Sequence, residues 1–319
     1  MILNIALLIL GFIILIKGAD ILVDGSASVA KKFGLSSLMI GLTIIAFGTS
    51  APELIVNIFA SIAGSSDIGM GNIIGSNISN ILLILGISAL ITTLKVDDSI
   101  TKKQIPFSIL AVAALFLLIN STLINGSGQD GLSRTGGLIL ILFFLIFLYY
   151  TFSLAKADKP EAEEEIKEMK TYRAVFFISG GILALFIGGK LIVDNASLLA
   201  LRAGLSEAFI GLTIVALGTS LPELAASISA ARKNQIQMAV GNVIGSNIFN
   251  LLWVLGLSAV ISPITYNPKM NFDILFLVFV SILLFGLIYM GKKFYFTKKE
   301  GYILVFLYVV YMIFIFVRG

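Results

Sequence analysis

Two glutamates occupy positions where an apolar chain should not tolerate them. Glu53 falls in GLTIIAFGTSAPEL at 41–54 and Glu223 in GLTIVALGTSLPEL at 211–224, each in the middle of a long apolar run. A carboxylate at such depth in a bilayer costs about 2 to 3 kcal/mol or more, so something must offset it. The neighbours are oxygen donors. Thr49 and Ser50 precede Glu53, and Thr219 and Ser220 precede Glu223. Pro52 and Pro222 lack N–H groups, so the carbonyls about one turn earlier, around Gly48 and Gly218, are freed to face a ligand. The spacing from Ser50 to Glu53 and from Ser220 to Glu223 also matches a capping box at a helix start. A second motif, GNIIGSNISN at 71–80, returns as GNVIGSNIFN at 241–250. Ser76 with Asn80, and Ser246 with Asn250, are four residues apart and share a helix face. Asn77 and Asn247 lie on another face, where hydrogen bonding between close-packed helices is the expectation. Carboxylate, hydroxyl, amide and carbonyl oxygens together suit a hard cation. Ca²⁺ takes six to eight flexible oxygen ligands, whereas Mg²⁺ keeps its waters, so Ca²⁺ is favoured with Na⁺ as competitor. Two buried carboxylates are neutralised by one Ca²⁺ or two Na⁺, and an empty site is an expensive dianion, which points to exchange rather than uniport.

The elements that must position these groups follow from composition. Of 319 residues 58% are apolar and 13% charged, and the mean hydropathy is +1.04, far from an ordinary soluble domain. Cysteine and histidine are both absent. That excludes disulfide frameworks, thiolate and imidazole metal sites, and His general bases or proton relays. Apolar runs fall near 2–23, 35–62, 69–92, 104–121, 135–155, 174–193, 205–231, 238–262, 272–291 and 301–317. Each is long enough to span a bilayer, and strand-like alternation is missing. The expected fold class is therefore an all-α polytopic membrane protein of ten transmembrane helices, with helices 2 and 7 broken at the bilayer midplane. The first run lacks a basic leader and cleavage site and reads as a retained helix. With the N-terminus outside, 16 of the 22 Lys and Arg residues, from Lys31 and Lys32 to Lys298 and Lys299, fall on the cytoplasmic side. That asymmetry predicts both termini outside the cell membrane. Because the basic residues lie in short loops between apolar runs, they set topology and give no nucleic-acid signal.

Both motif pairs recur at an offset of 170 residues, and the same offset carries Asp24 onto Asp194 and Gly86 onto Gly256. The chain therefore divides into a first five-helix repeat, 1–155 with its core at 35–92, and a second, 174–319 with its core at 205–262. The mixed-charge segment 156–173 reads as a cytoplasmic linker, too short for a folded domain. An odd number of helices per half makes the second repeat enter the membrane from the opposite face, the inverted arrangement of secondary transporters.

The paired GTSxPEL and GNxxGSN segments resemble the α-repeats of the cation/Ca²⁺ exchanger superfamily, in particular of prokaryotic Na⁺/Ca²⁺ exchangers. The resemblance implies a central bundle of helices 2, 3, 7 and 8, across which two long tilted helices, 1 and 6, slide to alternate access. It implies Ca²⁺ held by Glu53 and Glu223 with the carbonyls of Thr49 and Thr219. Flanking Na⁺ sites would use the Ala46 and Ala216 carbonyls with Ser50, Ser220, Ser76 and Ser246, and Asn80 and Asn250 would border the centre. Some relatives, K⁺-dependent exchangers among them, carry Asp where this chain has Asn250, which argues against K⁺ co-transport. The expected activity is electrogenic Na⁺/Ca²⁺ antiport by alternating access, with H⁺/Ca²⁺ exchange as the alternative and a membrane enzyme or channel as a distant one. An intramembrane hydrolase is disfavoured because neither Ser50 nor Ser220 has a His or Lys partner in its motif. No cofactor and no obligatory protein partner are expected; the substrates are Ca²⁺ and Na⁺, and the surroundings are lipid.

Overall fold

The structure, a computed structural model, describes residues 2–126, 128–155, 169–204, 216–290 and 294–318. It is helical almost throughout. The principal helices are α1 (Ile2–Phe33), α2 (Ser37–Thr49), α3 (Ala51–Ile62), α4 (Ser66–Ile91), α5 (Ile100–Ile119), α6 (Arg134–Ala155), α7 (Thr171–Arg202), α8 (Ala216–Thr219), α9 (Leu221–Arg232), α10 (Ile236–Ile261), α11 (Asn271–Met290) and α12 (Lys298–Arg318). Among the described residues eight helices are long and apolar enough to cross a membrane, and nine if the bent pair α2–α3 counts as one span. The expected seventh span, 205–231, is described only from residue 216, and residues 156–168 of the expected linker lie outside the described residues. Large apolar side chains such as Ile9, Phe176, Phe279 and Phe306 are exposed. Such girdles suit lipid, where backbone groups must be satisfied inside each helix.

The expected run boundaries are shorter than the helices at α1 and α7. Each extends to 32 residues, about 48 Å of helix. Their polar last turns continue because the chain stops only at a glycine able to take a left-handed conformation. Gly34 (φ 61°) ends α1 and Gly204 (φ 87°) ends α7. After α1, Leu35 N–H reaches back to the Ala30 carbonyl at 2.9 Å. The two long helices lie along one another. A side chain on Gly188 would stand 2.7 Å from the Leu15 backbone nitrogen, so the contact is backbone to backbone.

α2 and α3 form a helix broken at Ser50, whose backbone (φ −83°, ψ 7°) leaves the helical path, and their axes differ by 46°. Ser220 does the same between α8 and α9 (φ −87°, ψ 2°). Pro52 and Pro222 occupy the first turn of the helix that follows, where a missing N–H costs nothing. α4 and α10 each widen by a π-helical turn, at Asn80–Ile84 and Phe249–Val254. Such turns are frequent at functional sites. α2 packs closely on α10: a Cβ at Gly41 would meet the Met238 carbonyl at 2.5 Å, and one at Gly245 would meet Leu42 backbone at 2.8 Å.

Two small antiparallel clips tie the repeats together. β1 (Leu94–Lys95) pairs with β4 (Tyr295–Phe296), with Leu94 opposite Phe296, and β2 (Gly131–Leu132) pairs with β3 (Ile264–Thr265), with Leu132 opposite Ile264.

Candidate cation site

The site is built at the two helix breaks, where α2–α3 and α8–α9 meet the glycine-rich faces of α4 and α10. Glu53 and Glu223, each in the first turn after a break, are fully buried (0% exposed). Each carboxylate accepts a hydroxyl hydrogen bond at one oxygen. Ser50 Oγ donates to Glu223 Oε1 at 2.9 Å, and Ser76 Oγ donates to Glu53 Oε1 at 3.3 Å. The first of these crosses from one repeat to the other. Ser76 is also a junction: its oxygen receives Ser220 Oγ at 3.0 Å and Asn250 Nδ2 at 3.3 Å. Thr49 Oγ1 lies 3.4 Å from Ser246 Oγ.

All twelve residues named from the sequence fall on these elements: Ala46 and Thr49 on α2, Ser50 at the first break, Glu53 on α3, Ser76 and Asn80 on α4, Ala216 and Thr219 on α8, Ser220 at the second break, Glu223 on α9, and Ser246 and Asn250 on α10. Hydrogen bonds join Glu53, Ser76, Ser220 and Asn250 into one group, and a second holds Glu223 with Ser50 and, through Asn242, with Thr49 and Ser246. Asn80 is engaged elsewhere, donating Nδ2 to Asn247 Oδ1 at 3.0 Å. Asn247 in turn donates to the Asn77 carbonyl at 3.4 Å, the interhelical bonding expected of this pair. The Ala46 carbonyl accepts from Ser50 N–H at 3.0 Å, whereas Ser220 N–H turns to the Leu217 carbonyl at 3.1 Å. The two breaks therefore present their carbonyls differently.

The capping-box reading is corrected. Ser50 and Ser220 sit at the N-cap positions, but neither makes a side-chain cap hydrogen bond. Ser50 turns across the repeat to donate to a carboxylate, a charge-assisted bond, and Ser220 donates to the Ser76 hydroxyl. Asp24 and Asp194, the aspartates paired by the offset of 170, lie inside long helices and form ion pairs, Asp24 with Lys233 at 2.6 Å and Asp194 with Lys190 at 2.9 Å.

The sequence reading passed over Asn72, Asn242, Asn57 and Ser227, all buried beside the site. Thr49 Oγ1 donates to Asn242 Oδ1 at 3.2 Å, and Thr219 Oγ1 to Asn72 Oδ1 at 3.1 Å. Asn242 Nδ2 donates to Ser227 Oγ at 2.9 Å and to the Glu223 carbonyl at 3.3 Å, while Asn57 Nδ2 donates to the Glu53 carbonyl at 3.0 Å. The signal was available, because Asn72 and Asn242 share the offset of 170.

Four buried acceptor oxygens in the site have no hydrogen-bond donor: Glu53 Oε2, Glu223 Oε2, Asn80 Oδ1 and Asn250 Oδ1. Buried acceptors are almost always paired. Among the described residues no three of His, Cys, Asp or Glu come together, so the site couples two carboxylates to neutral oxygens.

The sequence model of the sodium/calcium exchanger protein family matches residues 3–153 and 173–317. This chain belongs to that family. It is 32% identical to the sodium/calcium exchanger MaX1 of Methanosarcina acetivorans over 98% of both chains. It is 37% identical to the uncharacterized membrane protein MJ0091 of Methanocaldococcus jannaschii over 89% of this chain and 90% of that one. The fold is similar to that of the sodium-calcium exchanger NCX_Mj soaked with 2.5 mM Na⁺ and 1 mM Sr²⁺, with a TM-score of 0.83, 34% identity and 98% of each chain covered. The protein is thus a multi-pass membrane transporter of an exchanger family and not an enzyme.

Proposed function

We propose that the protein is a Na⁺/Ca²⁺ antiporter, in which the two cations compete for overlapping oxygen sites between α2–α3, α4, α8–α9 and α10. The observation that carries this reading is the set of four unpaired acceptor oxygens, two of them carboxylate, buried at paired helix breaks. A cation is the partner that such a set calls for. Glu53 and Glu223 supply the two negative charges for Ca²⁺, and the Thr49 and Thr219 carbonyls complete its shell. Ala46 with Ala216, and the serines Ser50, Ser76, Ser220 and Ser246, serve flanking Na⁺ sites, with Asn80 and Asn250 at the centre. Na⁺ bound at flanking sites beyond the charge of one Ca²⁺ makes the cycle electrogenic. Loading by either substrate relieves the repulsion of the paired carboxylates, so an empty carrier has no low-energy path across the membrane.

The 170-residue offset of the paired motifs supports a ten-helix inverted repeat working by alternating access: the second repeat is related to the first by a two-fold axis in the membrane plane, and α1 with α7 slides across the four-element centre to open one side at a time. The excess of basic residues on one side supports an orientation with both termini outside the cell membrane.

The test is radioactive Ca²⁺ uptake into Na⁺-loaded proteoliposomes, with K⁺-loaded and pH-gradient vesicles as controls, for the wild type and for Glu53→Gln and Glu223→Gln. Uptake should need internal Na⁺ and fall at least a hundredfold in either variant. Uptake driven only by a pH gradient would establish proton exchange instead. Na⁺-independent, non-saturating flux that persists in both variants would overturn the exchanger reading.

A further inference from the structure

The threonine hydroxyls at the two breaks each face both a carboxylate and an asparagine oxygen. Thr49 is near the Glu223 carboxylate and Thr219 near that of Glu53, so each hydroxyl is a potential donor to a carboxylate of the opposite repeat. Each hydroxyl has only one proton to give. A proton donated to a carboxylate oxygen occupies a lone pair that a cation would need, and the ion must then displace it. In the structure an asparagine oxygen competes with the carboxylate for each proton. The shortest side-chain bond of Thr49 Oγ1, at 3.2 Å, runs to Asn242 Oδ1, ahead of its 3.4 Å contacts with the Ala46 carbonyl and Ser246 Oγ. Thr219 Oγ1 makes the equivalent bond to Asn72 Oδ1 at 3.1 Å.

The direction of the Thr49 bond is fixed by the rest of the network. Asn242 Nδ2 faces the Glu223 carbonyl, a group that only accepts, so the amide must present its oxygen to Thr49, and that oxygen can only receive a proton. Asn242 is held further by Ser227 at 2.9 Å. Asn72 has the same role with less support: its Nδ2 is buried without a partner, as is Oδ1 of Asn57, the residue equivalent to Ser227 at the offset of 170.

We propose that Asn72 and Asn242 are positioning residues of the cation site. Each takes up the hydroxyl proton of the threonine at the other repeat's helix break and so keeps the Glu53 and Glu223 carboxylates open to the ion. The two asparagines touch no ion themselves and act through Thr219 and Thr49. This rests on the exchange reading above and adds to it the device that keeps protein donors from competing with the substrate.

The experiment is a pair of double-mutant cycles in proteoliposomes, reading both the half-saturating Ca²⁺ concentration and the maximal rate of Na⁺-dependent uptake. Asn242→Ala should raise half-saturation roughly tenfold, the worth of about one hydrogen bond, with the maximal rate changed less than twofold. Thr49→Val keeps the backbone carbonyl and removes the competing hydroxyl. Placed on Asn242→Ala it should return half-saturation to the level of Thr49→Val alone. Multiplicative effects, or a loss of maximal rate at unchanged half-saturation, would overturn the role.

The cycle of Asn72→Ala with Thr219→Val repeats the test where removing the asparagine strands fewer partners, and it decides the matter if Asn242→Ala does not fold. Wild-type uptake that needs Na⁺ and is lost in Glu53→Gln must be present in the same vesicles. If it is missing, the exchange reading fails; if it is present and the cycles are multiplicative, only the asparagine role fails.

Discussion

Asn250 shows how much a single atom decides in a buried polar site. Its Nδ2 donates to Ser76, whose own proton is already committed to Glu53, and its Oδ1 has no donor. Asn250→Asp replaces that donor with an acceptor, so two oxygens face one another without a proton and a third negative charge enters the site. An uncompensated buried charge costs about 3 kcal/mol or more. The variant should melt below the wild type in Na⁺-free chelator and gain more from added Ca²⁺, as read by thermal unfolding in detergent. Equal melting in both conditions would mean that Asn250 stands outside the cation site. At this scale the sequence was informative wherever a residue is improbable in lipid. Glu53 and Glu223 are conspicuous because a lone intramembrane carboxylate demands a partner. Asn72 and Asn242 are not, because an asparagine beside a glycine on a packed helix has an ordinary role in helix association. Only the three-dimensional crossing of Thr49 to Asn242 gives them another. The capping box failed for a related reason. Spacing along a chain sees the local N–H donor that the serine could accept from and misses the acceptors across the molecule to which it donates.

The helices were legible as apolar runs, but their ends were not. α1 continues for ten residues beyond the apolar run that ends at residue 23, because its last turns are small and polar without a breaker until Gly34. The two-residue clips escaped notice, since pairing of that length leaves no periodic signal. The extension of α1 has a consequence for motion. Within it Asp24 pairs with Lys233, just past the end of α9, at 2.6 Å, while Asp20 accepts Ser229 Oγ at 2.6 Å. These bonds pin α1 to the core of the second repeat. In the first repeat the equivalents of Ser229 and Lys233 are Phe59 and Ala63, and the α7 aspartate, Asp194, pairs within its own helix with Lys190. If α1 slides against α9 during transport, a covalent bond here should stop it. The chain has no cysteine, so Asp24→Cys with Lys233→Cys creates the sole thiol pair, on side chains 45% and 29% exposed and open to a bifunctional methanethiosulfonate whose spacer replaces the reach of the lysine. Cross-linking should abolish Na⁺-dependent Ca²⁺ uptake and reductant should restore it. Full activity of the cross-linked protein, with the bond verified by mass, would show that α1 and α9 move as one body.

For the whole molecule, the internal repeat carries more information than any local pattern, since one offset ties together both carboxylates, both breaks and both glycine-rich faces. It leaves the hand of the membrane insertion to charge. Each half is closely similar in its motifs, so the apolar segments alone would allow either orientation, and only the basic residues break the tie. Lys102 lies at the start of α5 and is 60% exposed, paired at the surface with Asp98 at 2.6 Å. Arg134 begins α6 at the far end of the same helical hairpin and is also exposed. An exposed ion pair of this kind adds little to stability and both side chains are exposed, so replacing either residue should leave the fold intact. In the proposed orientation, a single cysteine at Arg134 reacts with a membrane-impermeant maleimide added to intact cells. One at Lys102 reacts only after the membrane is permeabilised. The reverse pattern would place both termini in the cytoplasm, and the ion pair between α1 and the end of α9 would then lie on the outer rather than the inner side. The labelling therefore fixes which side of the membrane the pinned end of α1 faces.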